Sequence, residues 1–186
     1  MKVRELVLLA PSSELASGRG GGISRFVVGG LLVSHGARAD AKVSIIFDGE
    51  RCVTFEGWRM RNVRPDEQSL SGILRAGLNK ADRGGRVMQG ITASRKTLRE
   101  VIEGWGSKGG RYYYSGARGK VSGVGSDFLA LFEYPEMQKS TEETLLAQGF
   151  EKLKLGRRDL FPDQAVVLLN NIADERILAG DAHKRG

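Results

Sequence analysis

Two compact apolar runs, Arg111–Ser115 and Phe128–Phe132, constrain the fold of this chain more than any other feature. Runs of this length without a polar alternation suit strands that are covered on both faces, as in parallel sheets. Between and after them lie segments with helical spacing. Strand alternating with helix through the second half implies an α/β fold, with a mostly parallel sheet and helices on both faces. The chain has 186 residues, a size at which one domain buries about two-thirds of its unfolded surface. No internal repeat or long linker divides it, so residues 1–186 are read as a single domain.

The other elements follow from local signals. Glu5–Leu9 reads as a first buried strand and Ala10–Gly22, rich in Ser and Gly, as a loop. Ile23, Phe26, Val27, Gly30 and Leu31 recur at helical spacing and predict a helix ending near His35. Lys42–Phe47 and Cys52–Phe55 predict a hairpin closed at Asp48-Gly49, a strong two-residue turn signal. Pro65, Asp66 and Glu67 open a helix whose buried stripe is Leu70, Ile73, Leu74 and Leu78. Ser94 is the expected cap of a helix carrying Leu98, Val101, Ile102 and Trp105, stopped by Gly106. Ser140 and Glu143 form an expected capping box for a short helix ending at Gly149. Lys152–Leu155 reads as a last strand, and Pro162 opens a final helix with Ala165, Val166, Leu168, Leu169 and Ile172 inward. Residues 176–186 read as a frayed polar tail.

Charge narrows the partners. A formal net charge of +7 favours a polyanion, since phosphates attract Lys and Arg. With one cysteine, Cys52, no disulfide within the chain is possible. His35 and His183 are too far apart in sequence for a zinc-ligand spacing, so no metal is expected. The longest apolar run, Phe26 to Val33, is far too short to span a bilayer. Met1 to Leu15 has the basic start and short apolar stretch of a signal peptide. Glu5 interrupts it, and the segment reads better as a strand. The expectation is a cytoplasmic protein.

Several segments, taken in order, carry a family likeness. Gly18-Arg19 and Arg25 match a glycine-arginine loop and the helix arginine after it. Ser34-His35, Arg38 and Asp40 match the end of that helix, and Pro65-Asp66-Glu67 the head of the next. Tyr112–Tyr114 and Leu153–Ile172 continue the match without gaps. Over roughly residues 18 to 176 the chain resembles the archaeal tRNA pseudouridine N1-methyltransferases of the SPOUT superfamily. The resemblance implies a six-stranded, mostly parallel sheet with a C-terminal trefoil knot, whose three loops bind S-adenosylmethionine, and a homodimer. It implies methyl transfer to N1 of pseudouridine in the T-loop of tRNA.

By the same resemblance Ser115, Gly116 and Gly119 belong to the first cofactor loop. Phe132 stands where the family has a glycine in the second, so its ring is expected to crowd the adenosine. Leu155, Gly156, Leu160 and Ala165 belong to the third and its helix, with Leu155 and Leu160 sandwiching adenine, or serving as core leucines. Arg157 and Arg158 there could hold a phosphate or be solvated. Asp40 is the candidate catalytic base for the N1 proton, or a carboxylate bonding a turn. Arg19, Arg25 and Arg38 are expected near the cleft, and Arg59, Arg61 and Arg64 around Trp58 suit RNA phosphates with base stacking. A charged hairpin edge is the other reading of that cluster. The crowded second loop leaves a further possibility, a SPOUT-fold RNA-binding protein that has lost cofactor and catalysis.

Overall fold

A computed structural model describes residues 3–33, 36–61, 63–106, 108–116, 123–156 and 158–182, with side chains as far as residue 176. The expectations placed on Ser34, His35, Gly119, Arg157 and His183 fall outside the described residues.

The strands are β1 (Arg4–Ala10), β2 (Leu32–Val33), β3 (Gly36–Ala37), β4 (Ala41–Phe47), β5 (Arg51–Glu56), β6 (Gly85–Met88), β7 (Ile91–Arg95), β8 (Gly110–Tyr113), β9 (Phe128–Glu133) and β10 (Glu151–Lys152). The helices are α1 (Ser12–Ala16), α2 (Gly21–Leu31), α3 (Glu67–Lys80), α4 (Leu98–Trp105), α5 (Lys139–Ala147) and α6 (Pro162–Ala182). Eight strands form the main sheet in the order β10-β8-β9-β1-β4-β5-β7-β6. Pairings from β10 through β4 are parallel and those from β4 through β6 antiparallel. The sheet is thus mostly parallel, with eight strands rather than six, because a hairpin, β6–β7, was missed; the expected last strand, Lys152–Leu155, is only the short edge β10 at Glu151–Lys152.

Side chains alternate across the sheet and build two cores. Leu6 and Leu8 of β1 and Phe128, Ala130 and Phe132 of β9 face α2, α3 and α6. Val7, Leu129 and Leu131 face α4 and α5, where Val101, Trp105 and Leu145 cover them. Glycine lets α2 approach its neighbours closely. A Cβ on Gly29 would stand 2.6 Å from Val167, and one on Gly30 2.7 Å from Val43.

Several local expectations hold. The Asp48-Gly49 hairpin closes with positive φ at both residues, 51° and 84°, as its turn type requires. Others shift by a cap. Asp66, not Pro65, starts α3, its carboxylate accepting from Ser69 N at 2.7 Å. Thr97 and Glu100 form the capping box of α4, and Ser94 lies within β7, paired with Cys52. Gln138 starts α5 with no side-chain cap bond, so Ser140 and Glu143 are not its box. The predicted loop at Ala10–Gly22 contains α1, and α2 ends at Leu31 because Leu32 turns to extended backbone and pairs with Ala37. The final helix continues to Ala182 instead of fraying from residue 176.

Candidate cofactor cleft and nucleic-acid face

Parallel strands bring their following loops to one end of the sheet. Here β8 leads on to the adjacent β9, while β9 leads back past β8 to β10. The two loops leave in opposite directions and open a crevice, the place where α/β sheets bind ligands. It is a cavity of about 350 Å³. Tyr114, Ser115 and Gly116 enter it from β8, and Glu133, Pro135, Glu136 and Met137 from β9. The stretch leading into α6 closes it with Asp159, Leu160, Phe161 and Pro162.

The β8 segment is bonded to the stretch before α6 and to α5. The Tyr114 hydroxyl accepts from Leu160 N at 2.9 Å, and Leu153 N donates to Tyr113 O at 2.7 Å. Burial pushes the Tyr114 phenol up, so it stays protonated at neutral pH. Ser115 Oγ donates to Glu142 Oε1 at 3.2 Å, Tyr113 to the same oxygen at 3.0 Å, and Lys152 Nζ reaches it at 2.6 Å. Burial, with the Glu142 bond added, pushes the Tyr113 phenol up to about 12. The Lys152 bond first, and then the Tyr113 and Ser115 bonds, hold Glu142 below its ordinary value of 4.5.

That depression has a sign. A carboxylate held low in the folded state adds stability above its unfolded pKa, and the addition is lost as pH falls through the folded value. Glu142→Gln is therefore expected to melt below wild type at pH 7 by a margin that shrinks once pH falls below the ordinary carboxyl value of 4.5 and closes beneath the depressed folded value. Paired melts across pH 3–8 check it, and a gap constant with pH would contradict it.

The family evidence agrees with this geometry. Residues 11–177 match a family described as "Putative SAM-dependent RNA methyltransferase". This chain belongs to that family. Among relatives of this methyltransferase-family chain is the "tRNA (pseudouridine(54)-N(1))-methyltransferase" of Haloarcula marismortui, 26% identical over 167 residues, or 86% of this chain and 84% of that one. The protein of the same name from Methanopyrus kandleri is 28% identical over 166 residues, 85% of this chain and 80% of that one. Among solved structures, Archaeoglobus fulgidus Nep1 bound to S-adenosylhomocysteine superposes with a TM-score of 0.65 over 96% of this chain and 100% of that chain. At 12% identity that likeness speaks for the fold alone.

Of the cofactor residues expected from sequence, Ser115, Gly116 and Leu160 line the cleft. Phe132 does not. It shares the parity of Phe128 and Ala130, so it points into the core, fully buried, with its ring 5.1 Å from Phe26 and 6.1 Å from Tyr114. Leu155 and Ala165 are core residues too, 3% and 0% exposed. Gly156, at φ 108°, turns the backbone between β10 and the cleft but is not among its lining. The resemblance placed the second loop at Phe132 and the residues after it but took only Phe132 as a contact, whereas Glu133, Pro135, Glu136 and Met137 line the cleft.

Asp40 is not at the cleft. It precedes β4, at the end of the sheet where parallel strands begin, and its carboxylate lies 3.2 Å from Arg4 Nε. The register places Arg4 beside Ala41, so the length of β1, roughly 20 Å, separates Asp40 from the cleft. Arg38 belongs to the same cluster, bonded to Asp174 at 2.8 Å. Arg25, in contrast, pairs with Asp163 at 2.8 Å and with Glu67 at 3.1 Å, beside the cleft end of α6. Arg19 is exposed on the adjoining loop, 3.5 Å from Glu14. Arg59, Arg61 and Arg64 lie together on the exposed segment after β5, flanking half-buried Trp58. The six arginines therefore form two separate groups and one internal strut. Arg158 is exposed, near the third loop.

Proposed function

We propose that this chain transfers a methyl group from S-adenosylmethionine to N1 of pseudouridine in the T-loop of tRNA, in the cytoplasm. The observation that carries the reading is the cleft at the C-terminal ends of β8 and β9, lined by three chain segments of which the first and third are bonded through Tyr114 and Leu160. It is supported by membership of an RNA methyltransferase family and by relatives named for this activity.

The cleft suits the cofactor. Pro135, Met137, Leu160 and Phe161 offer apolar surface for a flat purine, and Gly116, at φ 73°, brings backbone to the wall without a side chain. Glu133, Glu136 and Asp159 supply acceptors for hydroxyl or ammonium groups. When bound, S-adenosylmethionine supplies an electrophilic methyl group. The protein's part is to hold N1 in line with it and to exclude water. The N1 proton needs an acceptor within reach, and the carboxylates at the cleft rather than Asp40 are placed for that. The reading as an RNA-binding protein without cofactor drew on Phe132, which stands in the core. Incubating the protein with labelled S-adenosylmethionine and a tRNA carrying the T-loop pseudouridine should place label on that nucleoside. Cofactor binding without label would refute the substrate, and no cofactor binding would favour the alternative.

The C-terminal segment is read as a trefoil knot and two subunits as a homodimer. The knot is supported by the Leu153 and Leu160 amides, which bond Tyr113 O and the Tyr114 hydroxyl at the end of β8. An experimental backbone trace that pulls straight from both ends would exclude it. The dimer is supported by Phe161, just before α6, and Val167 within it, large apolar side chains left 61% and 53% exposed. Val166 and Leu169, read from sequence as inward, are buried against the protein's own core and are not open to a partner. Light scattering that finds a monomer at micromolar concentration would exclude the dimer.

RNA binding through Arg59, Arg61 and Arg64 should depend on salt. Each phosphate contact removed by an Arg→Ala change is expected to lower the slope of log affinity against log salt by about 0.7 to 0.9. An unchanged slope in the triple variant would make the cluster solvated surface.

A further inference from the structure

At the far end of the sheet from the cleft, on the α4 face, lies a second cavity of about 530 Å³. Register explains its floor. Glu5 pairs with Lys42 and Lys42 with Glu56, so three charged residues lie in a row across β1, β4 and β5. Lys42 Nζ bonds Glu5 at 2.7 Å, and Glu56 accepts from Arg59 at 3.1 Å. Such a row gives both donors and acceptors where a purely structural sheet face would carry apolar residues under a helix.

The walls are aromatic. Trp58, from the turn after β5, and Trp105, the last residue of α4, both line the cavity, and they are the only two tryptophans of the chain. Trp105 is 2% exposed, and its indole N–H is buried with no hydrogen-bond partner among the described residues. Buried donors are nearly always satisfied, so an orphan beside a cavity calls for an explanation. The rim continues into Arg59, Arg61 and Arg64, all exposed.

Aromatic faces, a few base-edge donors and acceptors, and arginines alongside are the requirements for holding an unstacked base of single-stranded RNA. We propose that this cavity is a nucleobase pocket, which takes one unpaired base of the bound RNA while the arginine segment holds its phosphates. It rests on the reading that the protein binds RNA. It sits a strand's length, roughly 20 Å, from the methyl-transfer cleft, so it fixes where an RNA lies rather than reacting with it. The carboxylates at its floor favour guanine, which presents N1–H and the N2 amino group side by side, over uracil, which presents a single N–H.

Because both tryptophans line the pocket, intrinsic fluorescence reports on it directly. A tRNA arm, titrated while labelled-RNA anisotropy is followed in parallel, should change the tryptophan emission with the same midpoint. Polyphosphate, which has the charge but no bases, should bind the rim and leave the emission unchanged. Trp58→Ala, at a half-buried site, should weaken RNA binding at least fivefold, as loss of one stacked base does. Trp105→Phe keeps the ring and removes the N–H, and should weaken it about fivefold. Both variants should bind S-adenosylmethionine as the wild type does, which also certifies that they fold. RNA that binds without altering emission, or with affinity unchanged in both variants, overturns the pocket and leaves the RNA reading standing. Equal responses to polyphosphate and RNA overturn it in favour of a phosphate site. RNA that fails to bind at all removes both.

Discussion

Phe132→Ala is expected to lower the unfolding free energy by about 3 to 5 kcal/mol and to leave S-adenosylmethionine binding no tighter than before. The ring is fully buried, beside Leu8 of β1 in register, and edge-on to Phe26 of α2 at 5.1 Å. Truncation removes that contact and leaves a void between sheet and helix, which a packed core fills only in part. The cleft gains nothing, because Tyr114 stands between it and the ring. A loosened Tyr114 would disturb its bond to Leu160 and weaken the cofactor site. Urea unfolding gives the first quantity and calorimetric titration below the transition gives the second. Tighter binding with little loss of stability would show a ring that blocks adenosine, as the sequence pattern had suggested.

Arg4→Met is the second large effect, with an expected loss of about 3 kcal/mol. Arg4 is 1% exposed, yet it carries a charge that Asp40 and Asp174 neutralise at 3.2 and 2.5 Å, with Asn170 Oδ1 at 3.2 Å. These contacts tie the first strand to the last helix across 166 to 170 positions of sequence. Removing the cation takes the ion pair from Asp40, while Asp174 keeps Arg38 at 2.8 Å. Both carboxylates are about one-third exposed, so water relieves part of the penalty and keeps the loss at the lower end of the range for buried pairs. Burial raises the Asp174 carboxyl, but the Arg38 and Arg4 bonds outweigh it and hold it below its ordinary value. Adding Asp40→Asn to Arg4→Met should recover part of the loss. Asp40→Asn alone should lower the melting temperature and leave the methyl-transfer rate intact. A rate reduced a hundredfold in a protein of unchanged stability would restore Asp40 as the base.

The fold was more legible than the site, for reasons visible at particular residues. Asp48-Gly49 declares its turn because few residues tolerate φ of 51° and 84° in succession. Pro162 opens α6 because its missing N–H costs nothing there. The β6–β7 hairpin was missed because Gly84, Gly85 and Gly90, all at positive φ, interrupt any run long enough to read as strand. Phe132 carried a usable signal that went unread. Alternation from Phe128 puts it on the α2 face, whatever a relative has at that place. Asp40 carried none, since only the β1–β4 register shows which end of the sheet it occupies. The resemblance located the second loop after β9, but which of its residues face the cleft, namely Glu133, Pro135, Glu136 and Met137, depends on how three distant segments meet.

The placing of β1 between β4 and β9 has a consequence for how the molecule is made. Its pairing with β4 closes within the first 47 residues, but Val3 N reaches Asp127 across 124 positions. At ribosomal speed that interval lasts on the order of ten seconds. Throughout it, Leu6, Val7 and Leu8 form an apolar edge with no partner, the kind of edge that pairs with other chains. Biogenesis rather than the finished structure is then the vulnerable stage, and yield should respond to chaperone supply and translation rate more than to the stability of the folded protein.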